Sequence, residues 1–349
     1  MNAKKRVLHL LSSHSFSGAE NVVCQIVDMF RECDQLEMLY CSPDGPIRES
    51  LAERNVNYVP LKSMSIVSLY EVLRQTKPDI IHAHDMKASF FASLVCGKIA
   101  LISHIHNNNF DSRKLTIKAL LYSIAAGKAR HIFWVSDSAY KSFYFQSRFA
   151  SKSTVLYNIV DVEKVRDKAN EASDHSKYDV VFVGRMSYPK NPIRIINVLD
   201  KAISMMPQLQ AVIIGNGDLE KEVHAVIQER KLEKHIHCLG FMSNPHGILS
   251  NSKVMLMTSR WEGTPMCALE AMAHGVPIVS TPTDGLCELV EHGVNGYLSD
   301  EDEQLSKYIV DVISNELLWK RLSFEQKKKA DILNDVATYR GKLMTQYGE

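Results

Sequence analysis

The chain has 349 residues, more than one hydrophobic core usually holds, so two domains are expected. A formal net charge of +1 excludes the basic field of a nucleic-acid binder. With 45% apolar and 23% charged residues the composition is that of an ordinary soluble protein, not a disordered or fibrous one.

In chain order, apolar runs predict strands over 7–11, 37–41, 58–61, 80–84, 101–106, 132–135 and 154–157. Helical patterns fill most of the gaps, as over 19–30 and 114–126. The alternation restarts at 179–183 and continues at 211–214, 237–239, 254–257, 278–280 and 296–298. Such alternation implies parallel sheets covered by helices. Residues 163–177 are polar and lack an apolar period, which suits a linker or hinge-side helix. Residues 317–347 read as helical. The basic start before residue 7 has no long apolar stretch behind it and reads as a first strand, not a signal peptide. The longest apolar candidate for a membrane span, 88–105, is broken by Lys98 and Ser103. The seven cysteines form no C-x-x-C pair and lie mostly in apolar segments, which predicts reduced, buried thiols in the cytoplasm rather than zinc ligands or disulfides.

Chemistry-bearing residues cluster just after predicted strands. Ser17-Gly18-Ala19-Glu20 follows the first strand and opens a helix. Gly18 either lets the backbone approach a phosphate closely or serves only a tight turn. His82 and His84 end one strand, and His104 and His106 end another; alternation places each pair on one strand face. They read as sugar-contacting rings or as structural residues. A four-histidine zinc site lacks local ligand spacing. In the turn from Gly184 to Asn191, Arg185 and Lys190 could neutralise a leaving diphosphate without a metal, or form a solvated basic turn. Gly215-Asn216-Gly217 makes a tight turn, and Asp218 reads as the cap of the next helix. Glu262 lies on a loop after a strand. Glu270, with seven residues between the two acids, lies on a helix that Pro265 opens in its first turn. A helix N-terminus suits a phosphate, and a carboxylate beside it can accept from sugar hydroxyls. From Arg113 to Lys152, basic residues alternate with Tyr122, Trp134, Tyr140, Phe143, Tyr144, Phe145 and Phe149, opposed only by Asp111 and Asp137. That stretch reads as an anionic-membrane surface or as ordinary helices with solvated lysines.

The Glu-x7-Glu spacing, with the stretch from Gly263 through Gly275-Val276-Pro277 after it, resembles the retaining glycosyltransferases of family 4. The resemblance covers nearly the whole chain. It implies an α/β protein of GT-B fold, two Rossmann-like parallel-sheet domains facing a cleft. The expected bounds are 1–165 for the acceptor side, 166–328 for the nucleotide-sugar side, and 329–349 as a helix crossing back. It implies transfer of a sugar from a nucleotide diphosphate, UDP-linked by preference, to a saccharide or lipid-linked saccharide of a bacterial surface polysaccharide. By the same resemblance His106 lies against the transferred sugar, His84 near the acceptor and Gly18 at the donor diphosphate. Arg185 and Lys190 stabilise the leaving group, and Glu262 binds the donor sugar or positions loop amides. Gly215, Gly217, Gly263, Thr264, Pro265 and Met266 contact the donor, and Glu270 holds the ribose. Asn158 and Asp161 match a structural segment. Two family glycines are replaced, by Ser17 and by Asn191. No cofactor, no metal and no nucleic acid are expected; the protein is placed in the cytoplasm, with a peripheral position at the inner face of the membrane open. The other readings are a nucleotide-sugar epimerase and a noncatalytic sugar-nucleotide binder. An NAD oxidoreductase is disfavoured because no G-x-G-x-x-G is present.

Overall fold

The computed structural model describes residues 4–106 and 112–348, so Asp111 lies outside the described residues. The chain divides into two compact units: Met1–Asn158 with Ala337–Glu349, and Ile159–Val336.

The first unit alternates β1 (Lys5–Leu10), α1 (Gly18–Met29), β2 (Leu36–Pro43), α2 (Ile47–Glu53), β3 (Tyr58–Leu61), α3 (Ile66–Thr76), β4 (Ile80–Ala83), α4 (Met86–Val95), β5 (Ala100–Ile105), α5 (Ile117–Lys128), β6 (His131–Trp134), α6 (Asp137–Ser142) and β7 (Ser153–Val155). The second runs α7 (Val162–Asn170), β8 (Val180–Val183), α8 (Pro192–Met205), β9 (Ala211–Ile214), α9 (Glu220–Glu229), β10 (Ile236–Gly240), α10 (His246–Ser250), β11 (Val254–Met257), α11 (Met266–His274), β12 (Ile278–Ser280), α12 (Asp284–Leu289), β13 (Gly296–Leu298), α13 (Asp302–Ser314) and α14 (Glu316–Leu333). Then α15 (Val336–Gly348) returns to the first unit.

All strand pairings within the two sheets are parallel. The strand orders are β3-β2-β1-β4-β5-β6-β7 and β10-β9-β8-β11-β12-β13. Central strands β9 and β11 are apolar and buried on both faces, as parallel sheets under two helix layers require, while β1 and β4 carry the buried His9 and His82 on one face. One face of the first sheet packs Leu8, Leu10, Ile81, Ala83, Leu101 and Ile105 against α3, α4 and α5. Each order reverses beside its first strand, between β1 and β4 and between β8 and β11. Open parallel sheets bind ligands outside the carboxyl ends of the strands at such a reversal.

The observed division differs from the expected one at both places. The expected bound at 165/166 falls inside α7. That segment is polar, but the Asp161 side chain caps it by accepting from Lys164 N at 3.1 Å, and Val165 and Ala169 are buried. The return comes at 337 rather than 329, because α14 continues to Leu333 with Leu322, Gln326 and Ala330 buried in the second unit.

Candidate functional site

In the second unit the turn after β8 leads through a short 3-10 turn, Tyr188–Lys190, to Asn191 at φ 52° and ψ 54°. This left-handed conformation explains why asparagine can stand where the family pattern has glycine. The Asn191 carbonyl accepts from Thr258 Oγ1 and its side-chain oxygen from Arg260 Nη2, both at 3.0 Å. The β8 turn is thereby tied to the segment after β11, its neighbour across the reversal. Lys190 Nζ then donates to Glu262 Oε1 at 2.5 Å, and Ser259 Oγ donates to the same oxygen at 2.5 Å. Burial pulls the Lys190 ammonium down, but the Glu262 carboxylate outweighs it, and the net is a raised pKa. The lysine therefore stays charged in place. Cys267 sits beside this pair; burial pushes its thiol up to about 12 against the pull of Lys190, so it offers no thiolate at neutral pH. Arg185 is exposed at the end of β8, and its side chain makes no hydrogen bond or ion pair among the described residues.

The surrounding loops nest closely. Gly215 has φ +131°, and a Cβ there would stand 2.1 Å from the Gly184 carbonyl oxygen; one at Gly217 would stand 2.4 Å from that of Met186. Met186 N donates to Asn216 O at 2.8 Å. The two glycines thus let the β9 turn lie against the turn that carries Arg185. Gly285, at the start of α12, lies so close to Gly263 that a Cβ would overlap the Gly263 carbonyl oxygen. The Gly263-Thr264-Pro265-Met266 segment is buried behind it.

Two local expectations are corrected, and the burial of Glu270 adds a third finding. Pro265 takes the cap position of α11, at φ −71° and ψ 123°, rather than its first turn. Asp218 is exposed and does not cap α9, whose cap position is Leu219. Glu270 is buried one turn into α11, only 9% exposed, like Glu262 at 8%. It is not a solvated helix-face acid.

In the first unit, Gly18 is the exposed first residue of α1, and the Ser17 hydroxyl donates to the Glu20 carboxylate. Asp85, just past β4, accepts from Ser12 N at 2.9 Å and Ala88 N at 2.7 Å, so one carboxylate both fixes the loop after β1 and caps α4. Beside it five buried histidines share one face of the sheet: His9, His82, His84, His104 and His106. Their hydrogen bonds run His9 Nδ1 to His84 Nε2 at 2.9 Å, and His84 Nδ1 to His106 Nε2 at 2.9 Å. His82 Nδ1 meets the Tyr347 hydroxyl of α15 at 2.7 Å. Burial holds His9 and His106 down to about 3, with the Asn158 side chain hydrogen-bonding His106 and opposing this; His82, His84 and His104 are also pushed well below the ordinary range. All five are neutral at pH 7. Ring nitrogens of the sets His9–His82–His84 and His84–His104–His106 lie within 4.8 Å of one another and could gather round a cation. No carboxylate belongs to either set to offset the charge in this buried place.

Much of the aromatic part of the stretch from Arg113 to Lys152 is core: Tyr122, Trp134, Phe143 and Phe149 are buried, Tyr140 and Phe145 are partly buried, and Tyr144 is exposed. A cluster of exposed aliphatic groups lies on α5, where Ile117, Leu120, Leu121 and Ile124 project outward while Ala119, Tyr122, Ala125 and Ala126 face the sheet. Among the described residues no helix is long and apolar enough to cross a membrane.

Two family models match in tandem. The one described as Glycosyltransferase Family 4 matches residues 16–164, and the one described as Glycosyl transferases group 1 matches residues 163–330. The chain belongs to the family 4 glycosyltransferases. A UDP-Gal:alpha-D-GlcNAc-diphosphoundecaprenol alpha-1,3-galactosyltransferase of Escherichia coli is 26% identical over 329 residues, covering 85% of this chain and 84% of that protein. A lipopolysaccharide 1,6-galactosyltransferase of Salmonella typhimurium is 23% identical over 300 residues, covering 81% and 82%. Among solved structures, Anabaena HepE in complex with UDP-glucose superposes with a TM-score of 0.83 at 22% identity, covering 98% of this chain and 99% of that one. This likeness shows the GT-B fold for the glycosyltransferase.

Four residues of the glycosyltransferase were not singled out from sequence. Ser259 and Gly285 carry no signal of their own: a hydroxyl three residues before an acid and a glycine in a polar turn are both common. Asp85 directly follows the His82–His84 pair and ends a predicted strand before a helix, which is a capping signal. His9 is the register partner of His82, a relation visible only once β1 and β4 are known to be neighbours.

Proposed function

We propose that this glycosyltransferase moves a hexose from a UDP-sugar, with retention of configuration, to a lipid-linked saccharide in bacterial surface-polysaccharide assembly. The observation that carries the reading is the Lys190–Glu262 pair at the reversal of the second sheet, with exposed Arg185 on the same turn. A departing diphosphate gathers negative charge as the glycosidic bond breaks. Lys190, charged and held in place, and Arg185, free to fork onto two oxygens, stabilise that charge without reorganising. Both contacts to Glu262 fall on Oε1, which leaves Oε2 for a donor-sugar hydroxyl. Glu270, buried a turn into α11, holds the ribose hydroxyls while the first turn of that helix and the Gly263–Met266 loop offer amides to the phosphates. Gly18 lies at the donor diphosphate, His106 contacts the transferred sugar and His84 lies on the acceptor side. Attack on the face the diphosphate leaves needs charge stabilisation more than a protein nucleophile, and none is assigned.

The UDP donor and the diphosphate-lipid acceptor named for the Escherichia coli relative support the substrate class. So does α5. Residues 113–128 contain four cations and no acid, and four large aliphatic side chains of α5 face outward. An apolar ridge flanked only by cations complements an anionic lipid surface, where a lipid-linked acceptor resides. The test is a panel of nucleotide sugars read by thermal unfolding. The true donor at one hundred times its Kd adds about 2.7 kcal/mol to stability and raises the melting temperature. Product chromatography with the protective donor and a diphosphate-lipid saccharide then shows transfer. Protection by no uridine nucleotide would refute the donor assignment.

A further inference from the structure

The buried histidines do more than fill a sheet face. His9 lies on β1, His84 just past β4 and His106 just past β5, so three adjacent strands bring their rings into one line. The contacts are sequential: His9 Nδ1 to His84 Nε2, then His84 Nδ1 to His106 Nε2, each 2.9 Å. At one end His9 Nε2 meets no hydrogen-bond partner, and at the other the Asn158 side chain is the neighbour of His106. The three side chains are at most 7% exposed, and His84 and His9 are 1% or less.

A neutral imidazole carries one N–H, so each ring can donate at one nitrogen and accept at the other. This makes the chain two-valued. If His9 donates from Nδ1, His84 accepts at Nε2 and must donate from Nδ1, and His106 accepts at Nε2 and carries its proton on Nδ1. If His106 donates from Nε2, the whole line reverses and every ring carries its proton on Nε2. A ring out of step would set two N–H groups, or two lone pairs, face to face at 2.9 Å in a dry interior.

We infer that His9, His84 and His106 form a single tautomeric relay, in which the two inner rings determine whether His106 presents a donor or an acceptor at Nδ1. His9 and His84 are then positioning residues, and their effect on sugar transfer rests on the reading of His106 as a sugar contact. Burial keeps the unit neutral, so switching reverses both N–H···N bonds together and leaves no charge behind. Tyr347, which hydrogen-bonds neighbouring His82 and stacks edge-on to His9, closes this face with α15 and keeps water from breaking the line.

The direct test is ring-nitrogen NMR on the full chain labelled with 15N-histidine, without substrate. His9, His84 and His106 are assigned by the signals lost in His9→Phe, His84→Gln and His106→Gln. The relay requires all three wild-type rings to be neutral and in the same tautomer at pH 7. A mixed set, or a charged ring, overturns it whether or not the protein transfers sugar. In His9→Phe the His106 tautomer ratio should change several-fold, and an unchanged ratio also overturns the relay. If His9→Phe does not fold, His9→Gln, which can fix one polarity through its amide, serves in its place. On the transfer reaction, His9→Phe should lower kcat about tenfold with little change in donor KM, and His9→Gln should restore part of it. An altered tautomer with unchanged kcat would keep the relay and refute the sugar contact of His106.

Discussion

Lys190 Nζ lies 2.5 Å from Glu262 Oε1, and the two residues come from the turns after β8 and β11, the strands that adjoin where the second sheet reverses. One buried ion pair therefore joins the two loops that a ligand at this sheet end would meet. Lys190 has a structural tie beside the chemical task proposed for it, whereas for exposed Arg185 only the proposed task remains.

This difference separates two variants. Arg185→Ala and Lys190→Ala should each reduce turnover by about two to three decades, the loss expected for one charge-stabilising group. Only Lys190→Ala should also destabilise, by about 3 kcal/mol, because it strands a buried carboxylate. The pair's stabilisation is present below the ordinary lysine pKa and is lost as pH rises through the raised value of the folded state. Turnover assays beside melting curves check this; near-normal turnover in both variants would refute the diphosphate assignment.

Activity should survive exhaustive chelation. Among the described residues, the groups able to gather round an ion are the two histidine sets of the first unit. The β8–β11 end of the second unit offers the cations Arg185 and Lys190, and Glu262 Oε1 is already held by Lys190 and Ser259. A strict dependence restored by added divalent cation would show that a metal, not Lys190 and Arg185, faces the diphosphate.

Much of this arrangement is legible in the sequence. Each predicted strand appears within a residue or two of its place, because parallel strands under two helix layers are short continuous apolar runs bounded by turns. Asn191 stands where the family pattern has glycine, and its left-handed conformation is one that asparagine tolerates. What was not legible depends on packing between distant segments. Alternation put His82 with His84 and His104 with His106, but only strand order adds His9 and only the last helix adds Tyr347. The aromatics from Tyr122 to Phe149 look like a surface stripe by composition, yet Tyr122, Trp134, Phe143 and Phe149 are core, and the aliphatic side of α5 forms an exposed face.

The exposed α5 face makes a prediction of its own. The wild-type protein should bind vesicles rich in anionic lipid, more weakly as salt rises, since exposed charges are screened beyond about 10 Å at moderate ionic strength. Ile117→Glu with Ile124→Glu should abolish that binding with no loss of melting temperature, because both side chains already face outward, at 76% and 51% exposure. Salt-insensitive binding, or equal binding by the double variant, would leave α5 an ordinary surface. Flotation with vesicles reads the result.

Acid should weaken the fold. The five histidines have folded pKa values below the ordinary 6.5, so the unfolded chain takes up protons that the native chain refuses. Stability is full above about pH 6.5 and falls as pH drops below it, because the unfolded histidines take up protons first. His104, both of whose ring nitrogens lack a hydrogen-bond partner, is the informative one. His104→Phe should remove one histidine's share of this pH dependence, so that it gains stability over wild type at pH 5 relative to pH 8. Denaturant titrations at the two pH values check it; parallel pH curves would contradict a buried neutral His104.

The central claim is that the β8–β11 end of the second unit binds a nucleoside diphosphate through the helix that carries Glu270. Calorimetric titration of UDP into wild type and Glu270→Gln tests it most directly. Glutamine keeps the shape of the buried side chain but loses the charge and an acceptor for the ribose hydroxyls. The account predicts binding by wild type, an affinity weakened in the variant by about 1–3 kcal/mol, and an unchanged melting temperature for the free protein. Equal affinity of the two proteins for UDP, with equal melting temperatures, would place Glu270 outside the nucleotide site and contradict the account.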